Sequence, residues 1–156
     1  MEERETSGLE DSLTGWKKKV PVTTKGFLSW ENDLVFTARI RGYQFEFDPK
    51  AVEGCWPTDT LLMSVAGCLG IDVVMFLQKM RVEINDFEIE TTGSRNPTPP
   101  QYYKSIEMVI HISGKGVTPK KLDRAISLSQ EKYCSVYHSL RKDLSVKVSY
   151  IIKEDT

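Results

Sequence analysis

The chain has 156 residues, 40% of them hydrophobic, which suits one compact domain with a core of its own. Lys and Arg number 21 against 22 Asp and Glu, a formal charge of -1, so no basic excess points to nucleic acid or to an anionic membrane surface. No run of about 18 or more apolar residues is expected to cross a bilayer, and the polar, acidic opening MEERETSGLEDSLTG is unlike a signal peptide, so a cytoplasmic protein is expected.

Residues 1–15 carry charge, Ser, Thr and Gly without an apolar period and read as a mobile polar leader; residues 16–156 read as the folded domain. From Trp16 to about Val22, and again from Phe27 to Asp48, the pattern is β-like. Leu34, Phe36, Ala38 and Ile40 alternate, Arg41-Gly42 interrupts, and Tyr43, Phe45 and Phe47 alternate again, which predicts a hairpin with one apolar face.

A loop with Pro49, Gly54 and Pro57 leads into a helix predicted from about Thr58 to Met80, with Thr58 as N-cap and Asp59 placed against the helix dipole. Its apolar residues cover nearly the whole circumference. One sheet of so short a chain cannot cover such a helix, which predicts that a second subunit does.

Phe87, Ile89 and Thr91 mark the next strand, and Ile106, Met108, Ile110 and Ile112 the one after it. The segment Asn96-Pro97-Thr98-Pro99-Pro100 forms the loop between them. Thr118-Pro119 opens a second helix, predicted to run to about Leu140 on Leu122, Ile126, Tyr133, Val136 and Leu140, and Val146, Val148 and Tyr150 close with a strand. The predicted order is β-β-β-α-β-β-α-β, an α+β fold.

Three cysteines, at 55, 68 and 134, make no disulfide framework of the secreted kind. With no CxxC pair and only His111 and His138 beside them, neither a zinc site nor any other cofactor is expected. What is left is thiol chemistry or a structural role. Cys68 lies mid-helix between Gly67 and Gly70, each of which costs about 1 kcal/mol relative to alanine, and such glycines let another backbone or a substrate approach the sulfur. A lone mid-helix cysteine is otherwise an ordinary small core residue. Cys134 would border the apolar stripe of the second helix, where a thiol can face a neighbouring element. Sequence spacing leaves the pairing of the two open, and Cys55, in a loop, reads as a bystander.

The segment Pro57-Thr58-Asp59-Thr60-Leu61-Leu62-Met63-Ser64-Val65-Ala66-Gly67-Cys68, continuing as Leu69-Gly70-Ile71-Asp72-Val73-Val74, resembles the cysteine helix of the OsmC/Ohr family. The stretch Leu128-Ser129-Gln130-Glu131-Lys132-Tyr133-Cys134-Ser135-Val136 is similar to that family's second cysteine segment. The resemblance covers roughly residues 27 to 152 and is greatest to the OsmC-like branch. It implies an intertwined homodimer whose sheets enclose the long central helices. It also implies a thiol peroxidase that reduces organic hydroperoxides in oxidative stress defence, with Cys68 attacking the peroxide and Cys134 resolving the sulfenic acid to a disulfide. An external cellular dithiol would then reduce that disulfide.

The chain departs from the family where a glutamate would follow the proline that starts the helix: Thr58 stands there. Asp59 is nine residues from Cys68, on the opposite side of a straight helix, and cannot inherit the glutamate's role. Arg39 and Arg41 are the thiolate-activating candidates. Asp72, one turn after Cys68, needs a partner if the thiol is to ionise, and Glu131 raises the same question for Cys134. The competing reading is a dimer that binds a small hydrophobic ligand or senses redox state without efficient turnover.

Overall fold

The computed structural model describes residues 22–154, so the strand expected from Trp16 lies outside the described residues except for Val22, an exposed bend. Two compact units meet in sequence between Thr60 and Leu61.

In the first unit β1 (Gly26–Asn32), β2 (Val35–Ile40) and β3 (Tyr43–Phe47) form an antiparallel sheet in that order. Ile40 pairs with Tyr43, so Arg41 and Gly42 form the whole connection, with φ of 50° and 81°. Two successive positive φ values are the mark of the turn whose twist suits a hairpin, and glycine takes the second without strain. The predicted face is built in part: Phe36 opposes Phe47 and Ala38 opposes Phe45, but Ile40 and Tyr43 at the turn are exposed and Leu34 precedes β2. Leu28, Trp30 and Tyr43 on this sheet stay exposed.

Beyond β3 the chain is organised by Asp48, whose buried carboxylate accepts the N–H groups of Lys50 (2.8 Å), Val52 (3.0 Å) and Glu53 (3.0 Å). The same loop returns to the sheet through Cys55 N–H to Glu46 O at 3.2 Å. Gly54 is dictated by that return, since a Cβ there would lie 2.1 Å from the Glu46 carbonyl oxygen.

Helix α1 (Pro57–Lys79) starts one residue earlier than expected. The Trp56 carbonyl accepts the N–H of Thr60 at 3.2 Å, which places Thr58 inside the first turn and not at the N-cap, with Pro57 at the position proline favours. At its far end Arg81, at φ 58°, reverses the chain: Val82 N–H reaches Leu77 O and Arg81 N–H reaches Gln78 O, both at 3.0 Å. That is a Schellman closure made without glycine. At 23 residues α1 is long and apolar enough to cross a membrane by length and composition, which corrects the expectation that no such stretch exists. Ser64, Gly67, Gly70 and Asp72 interrupt the run but leave it apolar on average.

The second unit carries β4 (Glu83–Arg95), β5 (Tyr103–Lys115) and β6 (Ser145–Ile152), with β5 central, antiparallel to β4 and parallel to β6. The expected alternation sets the register: Phe87 opposes Ile112, Ile89 opposes Ile110, and Thr91 opposes Met108. Ile106, Met108, Ile110 and Ile112 are fully buried, as are Leu69, Val73, Phe76 and Leu77 of α1. Gly70 brings α1 down on β4, where an added Cβ would stand 3.2 Å from Ile89 Cδ1.

The second helix is where expectation and structure part. Thr118 caps α2 (Pro119–Leu128) through Oγ1, which accepts Lys121 N–H at 3.3 Å, but α2 stops at Leu128. Ser129–Tyr133 widens into a π-turn, Cys134 is extended (φ -71°, ψ 98°), and a short α3 (Ser135–Ser139) follows. Cys134 N–H bonds Ser129 O at 2.8 Å, a five-residue step. In a regular α-helix five residues turn the chain about 140° past the starting face. The wider turn brings Cys134 back beneath Ser129, so Ser129, Tyr133 and Cys134 are all buried.

Candidate functional site

Within the second unit Cys68 and Asp72 stand one turn apart on α1 and meet Cys134 from the end of the π-turn. The Cys68 and Cys134 sulfurs and an Asp72 carboxylate oxygen all lie within 4.8 Å of one another. Cys68 is half-buried, whereas Asp72 and Cys134 are each 1% exposed, so Cys68 is the more accessible of the two thiols. All three cysteines are free thiols.

Neighbouring groups fix the trio. Ser129 Oγ donates to Asp72 Oδ2 at 2.9 Å, and Tyr133 packs its ring on Phe76 of α1 with centroids 5.6 Å apart. Cys134 Sγ accepts the N–H of Tyr137 at 3.4 Å. Burial pushes the Cys134 thiol up to about 12; the Tyr137 N–H opposes this, while the hydrogen bond to Cys68 and the charges of Cys68 and Asp72 add to it. The reduced pair therefore holds a proton on Cys134.

Asp72, which needed a partner, faces the thiols and accepts a hydrogen bond from the Ser129 hydroxyl. Glu131 is exposed on the π-turn. The expectation that Cys134 lies on a helix edge is corrected, because the π-turn takes it off the helix and into the interior.

The other expected residues lie in the first unit. Arg39 Nη2 donates to Ser29 Oγ at 2.5 Å and Arg41 Nη2 to Thr24 Oγ1 at 2.8 Å, both at the surface. Cys55 is exposed, with its sulfur 3.1 Å from Thr60 Oγ1. Asp59 occupies the first turn of α1. Sequence reasoning missed Ser129, whose role depends on the π-turn. It also missed the donor set of two sulfurs and a carboxylate, for which the Cys68–Asp72 spacing of four residues was the available signal.

Such a trio can do two things chemically: its thiols can be oxidised to a disulfide, or its three donors can share a soft cation. Residues 50–149 match the family model described as OsmC-like protein. Protein YhfA of Escherichia coli K12 is 32% identical over 125 residues, covering 79% of this chain and 93% of its own length. A crystal structure of a protein from Aquifex aeolicus VF5 superposes with a TM-score of 0.80 at 30% identity, over 87% of this chain and all of that one. The organic hydroperoxide resistance protein OhrB of Bacillus subtilis shares the fold, with a TM-score of 0.57, 20% identity, and coverage of 83% of this chain and 98% of its own. With the β-β-β-α-β-β-α-β order, the long cysteine helix and the matched family model in agreement, this chain belongs to the OsmC family.

Proposed function

We propose that this protein is a thiol peroxidase that reduces organic hydroperoxides in oxidative stress defence, with Cys68 attacking and Cys134 resolving. The observation that carries the reading is the pair of sulfurs, one half-open and one buried, within 4.8 Å of each other in a chain of this family. The name of the Bacillus relative agrees with it.

In the first step the Cys68 thiolate takes the terminal oxygen of the hydroperoxide. The O–O bond breaks, sulfur is oxidised to a sulfenic acid, and the alkoxide leaves as alcohol once protonated. Cys134 then attacks the Cys68 sulfur, the S–S bond forms, and the sulfenic hydroxyl departs with the Cys134 proton as water. An external cellular dithiol restores both thiols by exchange, and no bound cofactor enters the cycle. Burial of Cys134 suits the resolving role, because it bars that thiol from the peroxide while leaving it beside Cys68.

The working form is a homodimer, in the cytoplasm. In support, α1 leaves Met63 and Ile71, on the face of Gly67, exposed at 57% and 56%, and among the described residues nothing lies within 4 Å of a Cβ added at Gly67. An apolar stripe of that kind suits a partner helix.

The test is one equivalent of cumene hydroperoxide on reduced protein, followed by disulfide mapping by mass spectrometry. A rapid Cys68–Cys134 bond in the wild type, and sulfenic or over-oxidised Cys68 in Cys134→Ser, are expected. Thiols that stay reduced, or a bond through Cys55, would overturn the reading and favour a dimer that binds a hydrophobic ligand.

A further inference from the structure

We propose that the reduced protein binds one thiophilic divalent cation, of the Zn2+ class, between Cys68, Asp72 and Cys134, and that the ion shields the dithiol until hydroperoxide expels it. Cys68 and Asp72 stand four residues apart on a rigid helix, a spacing that points two donors the same way. Cys134 supplies a third donor from the opposite side, with all three donor atoms within 4.8 Å. A tetrahedral zinc site, with Zn–S of about 2.3 Å and Zn–O of about 2.0 Å, needs its ligand atoms about 3.5–3.8 Å apart. Contraction by roughly an ångström is within the reach of side-chain rotation.

Two further observations point to a ligand. A metal-bound carboxylate is characteristically held by a hydrogen bond from behind, and Ser129 Oγ already donates to Asp72 Oδ2 at 2.9 Å. The site is also buried on the Asp72 and Cys134 sides and only half-buried at Cys68, so three protein ligands would leave a fourth position for water on the Cys68 side. Three protein ligands with one open position is the arrangement of zinc sites that keep a water, and two sulfurs select a soft ion over Mg2+ or Ca2+.

Metal binding stands on this geometry alone, whereas displacement by hydroperoxide rests on the peroxidase reading. Two metal-bound thiolates, one hydroperoxide and two protons give the disulfide, one alcohol and one water. Sulfur is oxidised, the peroxide is reduced, and the cation leaves with its charge unchanged. A disulfide cannot act as the dithiolate ligand, so metal and disulfide exclude each other.

Co2+ titration of the reduced, chelator-washed full chain tests the site, read by thiolate-to-cobalt absorption in the absence of peroxide. One equivalent per chain is expected, with the signal lost in Cys68→Ser and Cys134→Ser and unchanged in Cys55→Ser. Ser129→Ala should weaken binding about 10–100-fold without removing a ligand. No charge-transfer band, binding that survives Cys134→Ser, or binding equally tight in Ser129→Ala and Asp72→Asn would overturn the proposal. Because this readout contains no peroxide, its failure leaves the peroxidase reading standing. Cumene hydroperoxide should then release the cobalt in step with disulfide formation, and cobalt retained while the disulfide forms would overturn the shielding role.

Discussion

Ser129 Oγ meets Asp72 Oδ2 at 2.9 Å across 57 residues of chain, tying the segment that carries Cys134 to the helix that carries Cys68. A hydrogen bond to a buried carboxylate contributes about 1.5–3 kcal/mol. Ser129→Ala should lower unfolding stability by that amount in urea titration. In a double-mutant cycle with Asp72→Asn the two losses should fall short of additivity. Additive losses would mean that the contact does not couple the two segments.

Burial and the raised thiol pKa make a second expectation about Cys134, which is 1% exposed and pushed up to about 12. Only the thiolate reacts appreciably with iodoacetamide. In reduced, chelator-treated native protein Cys134 should therefore alkylate at least about 10-fold more slowly than exposed Cys55 between about pH 7 and pH 9. The difference should vanish in denaturant. Equal native rates, read by peptide mass spectrometry, would show Cys134 to be open.

Asp48 sets an acid limit on the first unit. Backbone N–H groups, that of Glu53 first and then that of Lys50, hold its carboxyl below the ordinary aspartate range. A lowered folded pKa gives stability that is complete above the unfolded pKa and is lost as pH falls through the folded one. The wild-type Tm should drop more between about pH 5 and about pH 3 than that of Asp48→Asn, which keeps an acceptor but does not titrate in that range. Parallel Tm curves would assign the acid loss elsewhere.

Gly67 separates a free helix face from an occupied one. If α1 faced only water there, Gly67→Ala would raise stability by about 1 kcal/mol through helix propensity. The homodimer reading predicts the opposite: the added methyl meets the partner, and sedimentation equilibrium should show association at least about 10-fold weaker. Unchanged association with a higher Tm would remove Gly67 from the interface.

Much of this was legible because period and turn chemistry are local. The alternation of Ile106 to Ile112 predicts a strand with one buried face, and Arg41-Gly42 marks a hairpin. Thr118-Pro119 likewise announces a helix start. The break at Ser129 is not legible, because Leu128-Ser129-Gln130-Glu131 reads as ordinary helix and the partner of the Ser129 hydroxyl, Asp72, lies far away in the chain. The place of Cys134 was misjudged for the same reason: a wheel drawn from Leu122 assumes a regular helix that ends at Leu128. Parallel pairing of β5 with β6 is a non-local fact of the same kind.

That parallel pairing bears on the order of assembly. The segment bearing Ser129 and Cys134 is tethered at both ends, by β5 before it and by β6 after it, and closing such a long loop carries an entropic cost that antiparallel hairpins avoid. A nascent chain can form α1 and the β4–β5 hairpin early, with Cys68 already in place but without its companion sulfur. The two thiols become neighbours only when the segment between β5 and β6 packs on α1, so the dithiol is a property of the folded chain and of neither element alone.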